Sequence, residues 1–156
     1  MRGQPAPVGC ASVTVPPLPA APCALVLRTD FSDDAAWDAV RTASAAPSPE
    51  GFLAELSFVS DPAFTGLSPE QAAALPSECY RAFLFLVDGV TITDPEMPLV
   101  VVDRLRQPGR WFRVVPGEMW SVENNLSSAN MDFHEFANHV DPDGVFRGFP
   151  EPEPHG

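Results

Sequence analysis

Leu99–Val115 reads LVVVDRLRQPGRWFRVV. Leu99–Leu105 and Trp111–Val115 are dense in β-branched and aromatic side chains, which suit strands. The link Arg106-Gln107-Pro108-Gly109-Arg110 carries a Pro-Gly pair, and in a link this short that pair predicts a hairpin turn. Upstream the pattern alternates instead. Ala24–Thr29 is a short apolar run of strand type. Ser32 is placed to cap a helix whose first turn holds Asp33 and Asp34, and whose stripe is Ala36, Trp37, Val40 and Ala43. Pro47 and Pro49 end it, and Phe52–Val59 reads as a second strand. Ser68-Pro69-Glu70 starts a short helix with proline at its first position. Ala82–Val87, rich in Phe and Leu, predicts a central third strand. β-α-β-α-β followed by a hairpin predicts an α/β domain with a mixed five-stranded sheet and about four helices.

Downstream, Pro116 opens a helix predicted to run to about Asn125, with Met119, Val122 and Leu126 on one face. A last helix is predicted over Asp132–Val140, with Phe133, Phe136, Ala137 and Val140 inward and Asp132 and Glu135 spaced as a capping box. Outside the domain the chain is proline-rich. Nine of its 19 prolines fall in residues 1–22 and 150–156. These two segments read as flexible tails around a single domain at 23–149.

Charge narrows the function classes. The 156 residues carry a formal net charge of −12, and all nine basic residues are arginine. A nucleic-acid footprint is basic, and so is a surface that docks on anionic lipid, so neither partner is expected. No run approaches the roughly 18 apolar residues of a membrane span. Met1–Gly9 has no apolar stretch of the kind a signal peptide needs, and three widely spaced cysteines suit a reduced compartment. A cytoplasmic protein is the expectation. The acids are unevenly spread: residues 23–99 have net charge −9 and residues 100–149 net −2. Four arginines (Arg104, Arg106, Arg110 and Arg113) crowd the hairpin.

Motifs for chemistry are few. There is no GxSxG elbow, P-loop or GxGxxG. His134 and His139 are five apart, about 140° round a helix, which cannot form the HExxH zinc site. Asp132, Glu135 and His139 share a helix face, but no second set of ligands accompanies them. No catalytic residue, metal or cofactor is assigned. All four asparagines fall in Pro116–Val140. They serve either as caps and turns (Asn125 ending one helix, Asn130 or Asp132 starting the next) or as part of a polar surface with Trp120 and Glu123. Trp120 and Asn124 are i, i+4 neighbours. The candidate binding residues are therefore Trp120, Glu123, Asn124, Asn130 and Asp132, with Arg104, Arg106 and Arg113 able to meet an anion.

Phe112-Arg113-Val114-Val115-Pro116, Glu118–Leu126, Asn130-Met131-Asp132-Phe133, Asp143–Phe149 and the opening Leu25–Asp33 together resemble a family of small actinobacterial proteins known as a domain of unknown function. The resemblance covers most of residues 24–149 and implies no activity. Two functions remain open. One is a non-enzymatic interaction module, an inhibitor or immunity type being one form, whose acidic first half meets a basic protein. The other is a small-molecule-binding protein or enzyme with a pocket around Trp120, Glu123 and Asn124.

Overall fold

Phe83–Val87, FLFLV, has no polar side chain on either face and is buried along its whole length. Such a strand needs cover on both sides, and the topology supplies it. The computed structural model describes residues 15–150. Its elements are β1 (Ala24–Arg28), α1 (Asp34–Ala45), β2 (Leu56–Val59), α2 (Pro69–Ala74), β3 (Phe83–Val87) and α3 (Gly89–Thr93). They continue with β4 (Leu99–Asp103), β5 (Trp111–Val114), α4 (Met119–Ser127), α5 (Phe133–Ala137) and β6 (Val145–Phe146). The strands form one six-stranded mixed sheet in the order β2-β1-β3-β4-β5-β6. β1 is parallel to β2 and β3, and β4 runs antiparallel to β3 and β5.

From β1 the chain crosses to β2 on one side and then returns past β1 to β3 on the other. Two crossovers of the same hand in opposite directions must use opposite faces. α1 accordingly packs Trp37 and Val40 on the face of Val26, Phe85 and Val101, together with Met119, Val122, Phe133 and Phe136 from α4 and α5. The return crossover places Phe64, Leu67 and Ala72 over Leu25, Leu84, Leu86 and Val100 on the second face. Each large apolar side chain so buried is worth about 1.5–3 kcal/mol.

The α/β class and the hairpin are as expected, and the details sharpen several boundaries. β4 stops at Asp103 rather than Leu105, because the Asp103 carboxylate accepts hydrogen bonds from Leu105, Arg106 and Gln107 N–H and curls the chain into the turn. Gly109 completes that turn at φ +95°, a conformation that favours glycine. β2 starts at Leu56, not Phe52, since Ser48 closes Ser48–Phe52 into a loop through both its N–H and its hydroxyl. Asp33, not Ser32, caps α1, while the Ser32 hydroxyl is drawn to Asp30. Pro116–Glu118 forms a 3₁₀ turn ahead of α4. The two-residue β6 pairs parallel with β5 and adds the sixth strand. α5 has the expected Asp132–Glu135 capping box but stops at Ala137.

Residues 1–14 and 151–156, which hold most of the expected tails, lie outside the described residues. Val15–Pro22 does not behave as a free tail. Leu18 is 3% exposed and packs on the second face of the sheet, and its N–H donates to the Pro76 carbonyl at 2.8 Å. The Arg81 guanidinium ties the strap down through the carbonyls of Pro19, Ala21 and Cys23. We therefore expect Leu18→Ala to lower the unfolding free energy by about 2–4 kcal/mol in a urea titration. A change below about 0.5 kcal/mol, the size of a surface effect, would show that the strap contributes nothing to the core.

Candidate functional site

The predicted site residues do not form one site. Trp120, Glu123 and Asn124 form a lash between α4 and the chain entering β2. Glu123 is buried, and its Oε1 accepts from Glu55 N–H at 2.7 Å and from Asn124 Nδ2 at 2.9 Å. Its Oε2 accepts from the Ser127 hydroxyl at 2.6 Å. Asn124 Nδ2 also donates to the Leu53 carbonyl. The Trp120 ring stacks on Phe52 at 4.9 Å between centroids. These groups hold the Leu53 carbonyl and the Glu55 N–H just ahead of β2, and they do not enclose a pocket with the arginines.

Arg104 and Arg113 are engaged elsewhere. Arg104 donates to the carbonyls of Ala72, Leu75 and Arg81, closing the C-terminal end of α2. Burial, then the charge of Arg81, pulls its pKa below the ordinary value. Arg113 makes a two-pronged pair with Asp88 and a bond to the Pro98 carbonyl. Asn130 reaches back to Asn125 Oδ1, and Asn125, inside α4, donates to the Ser121 carbonyl. The left-handed residue after that helix is Ala129, at φ +58°.

In sheets of this kind ligands favour the crevice where strand order reverses, beyond the carboxyl ends of the strands. Here that place lies between β1 and β3. Arg28 fills much of it, donating to Asp34, Ser60 and the Asp30 carbonyl with its guanidinium over the Phe31 ring. Asp30 sits so close to Gly89 that a Cβ there would lie 3.1 Å from its Oδ2. Charged groups at the switch point are thus committed to one another.

Other surfaces are open, and two of them bear on binding. The first is a cavity of about 300 Å³ at the opposite end of the central strands. Phe83 and Phe133 form buried parts of its wall, Tyr80 and Leu105 stand exposed at its edge, and Arg106 and Asp132 join it from the hairpin and the α5 cap. The second is the apolar surface of Phe52 and Leu53, 49% and 52% exposed, beside Trp120. Glu50 precedes it in the chain, and burial followed by the Glu50 charge pushes the Glu118 carboxyl above its usual value. Glu55 separates it from β2, whose far side carries no strand. The residues the sequence left unmarked are Phe52 and Leu53, because an apolar pair next to a strand reads as part of that strand. The signal was present in Pro47, Pro49 and Gly51, which make the preceding segment a loop.

The family model described as Domain of unknown function (DUF6924) matches residues 23–149. The chain belongs to this family. No curated protein matches the chain. The DUF6924 span contains the lash, the switch point and nearly all of the cavity wall, while the Val15–Pro22 strap precedes it. Among the described residues of the DUF6924 domain, no group of three or more His, Cys, Asp or Glu is placed to hold a metal ion, and no helix is long and apolar enough to cross a membrane.

Glu123→Ala leaves the Glu55 N–H without its acceptor. It should destabilise the fold by about 1–3 kcal/mol in urea titration. It should also speed hydrogen exchange at the Glu55 amide, and unchanged exchange there would contradict the lash. Burial raises the Asp88 carboxyl, but hydrogen bonds from Arg113 and Thr91 and the Arg113 charge outweigh it and hold it below its ordinary range. A pKa lower in the folded than in the unfolded chain stabilises above the unfolded value and ceases to do so as pH falls through the folded one. Stability measured below about pH 4 should therefore fall more steeply for the native chain than for Asp88→Asn.

Proposed function

We propose that the chain is a non-enzymatic protein-interaction module that receives an extended, basic segment of another protein along β2 and the Phe52–Leu53 surface. The observation that carries this reading is that exposed apolar pair between Glu50 and Glu55 in the chain, with Glu118 near enough to Glu50 to feel its charge, and none of the three joins an ion pair among the described residues. Elsewhere many acids are paired: Arg147 alone contacts Glu96, Asp141 and Asp143. An edge strand offers unpaired backbone N–H and C=O groups to an incoming strand. Apolar side chains at its end supply area for an anchor, and free carboxylates around them favour lysine or arginine on the partner. The net charge of −12 adds long-range attraction for a basic partner and disfavours a second copy of the chain. An inhibitor of the immunity type, covering a basic site on its target in the cytoplasm, is one concrete form.

The test is a pull-down with the full chain, followed by titration of the recovered partner or of extended Lys/Arg-rich peptides. Affinity should drop by about tenfold or more between roughly 0.05 and 0.5 M salt. Leu53→Asp should abolish capture while leaving the melting temperature within a few degrees of the native value. A salt-insensitive partner, or one that Leu53→Asp still binds, contradicts this surface as the docking site.

A further inference from the structure

We infer that the cavity beside Arg106 binds a small monoanion with a flat apolar body, an aryl carboxylate in chemical class. Among the described residues Arg106 is the one arginine whose side chain makes no hydrogen bond. Each of the other seven donates to a carboxylate, an amide oxygen, a hydroxyl or a backbone carbonyl. Arg106 meets only Asp132, at 3.8 Å, with 68% of its side chain exposed. An exposed pair at that separation is weak, so the guanidinium remains available. It stands on the wall of a cavity of about 300 Å³, a volume at the lower end of ligand sites.

The cavity's chemistry favours an anion with an aromatic body. Phe83 and Phe133 supply aromatic surface, with Leu126 and Met131 half-buried beside them. Of the charged wall residues, Asp103 directs its carboxylate to three N–H groups of its own turn. Arg81 has no carboxylate partner, binds only backbone carbonyls, and keeps Nε buried without an acceptor. Arg104, likewise bonded only to carbonyls, adds a further positive charge behind Arg81. Asp132 is the one opposing carboxylate at the rim. A planar carboxylate suits the fork of Arg106, while its ring is removed from water against the wall that includes Phe83 and Phe133.

The probe is 2-naphthoate, titrated into the full chain and followed by calorimetry and amide chemical shifts, with 2-naphthamide and 2-naphthylmethylamine as controls. Naphthoate should saturate with a dissociation constant of about 1 mM or below, as expected for a ligand of this size. It should shift resonances of Cys23, Phe83 and Phe133. The amide should bind about tenfold more weakly and the amine more weakly still. Arg106→Gln, an exposed change that leaves packing intact, should weaken naphthoate about tenfold and leave the amide unchanged. Asp132→Asn should tighten naphthoate about twofold. Absence of saturation by about 10 mM, shifts confined to other surfaces, equal binding of the amine, or unaltered affinity in Arg106→Gln would each overturn the inference.

Discussion

β3 is the constraint on which the rest of the fold depends. Five consecutive apolar side chains cannot be left facing water on either side, so the strand must sit inside the sheet with a layer on each face. That demand sets the crossovers on opposite faces and draws in short elements that would not stand alone. α2 and α5 are six and five residues long, well below the length at which an isolated helix is stable in water. They persist because Ala72, Phe133 and Phe136 complete the cover, and because each begins at a capping box. Leu18 extends the same cover from outside the family span, so this chain finishes its second core with residues of its own strap.

Arginine does the tying that this cover requires. Arg81 and Arg104 each collect three backbone carbonyls from segments distant in sequence. A guanidinium presents several donors in a fixed fork, and it stays charged under partial burial. One side chain can therefore satisfy several carbonyls that irregular backbone leaves without partners. A lysine at either place would offer a point charge on a flexible stem and could not reproduce three divergent contacts. The basic cluster that stands out in the hairpin sequence is consequently not one surface. Arg104 turns inward, Arg113 closes on Asp88, and Arg106 remains at the rim.

Legibility in the sequence follows the same division. Elements with a full apolar stripe or run were readable: β1, β3, the hairpin strands and the inward faces of α1, α4 and α5 all stand where their patterns place them. What escaped was set by single polar contacts. Asp103 ends β4, Ser48 delays β2, and Glu123 with Asn124 ties down the Glu55 N–H and the Leu53 carbonyl ahead of it. No periodicity carries such information, because each is one side chain meeting backbone that only the folded chain brings near. β6 has two residues and therefore no period to detect. The candidate site was legible as residue types but not as a location. Trp120, Glu123 and Asn124 do cluster, as their helical spacing requires, yet they cluster around the backbone of a loop rather than around an opening.

The charge asymmetry in the sequence takes on a spatial meaning in this fold. The loop entering β2 carries Glu50 and Glu55 on either side of exposed apolar side chains, and burial, then the Glu50 charge, raises the Glu118 carboxyl at the start of α4. The opposite end of the central strands places Arg81 and Arg106 on the wall of a partly apolar cavity. A cation at the first surface would lessen the repulsion between Glu50 and Glu118, whereas at the cavity it would meet the guanidinium groups of Arg81 and Arg106. The converse holds for an anion. A net charge of −12 describes neither place, because at a contact the local arrangement of charge within about a Debye length decides the sign of recognition. The two proposed sites therefore call for ligands of opposite charge.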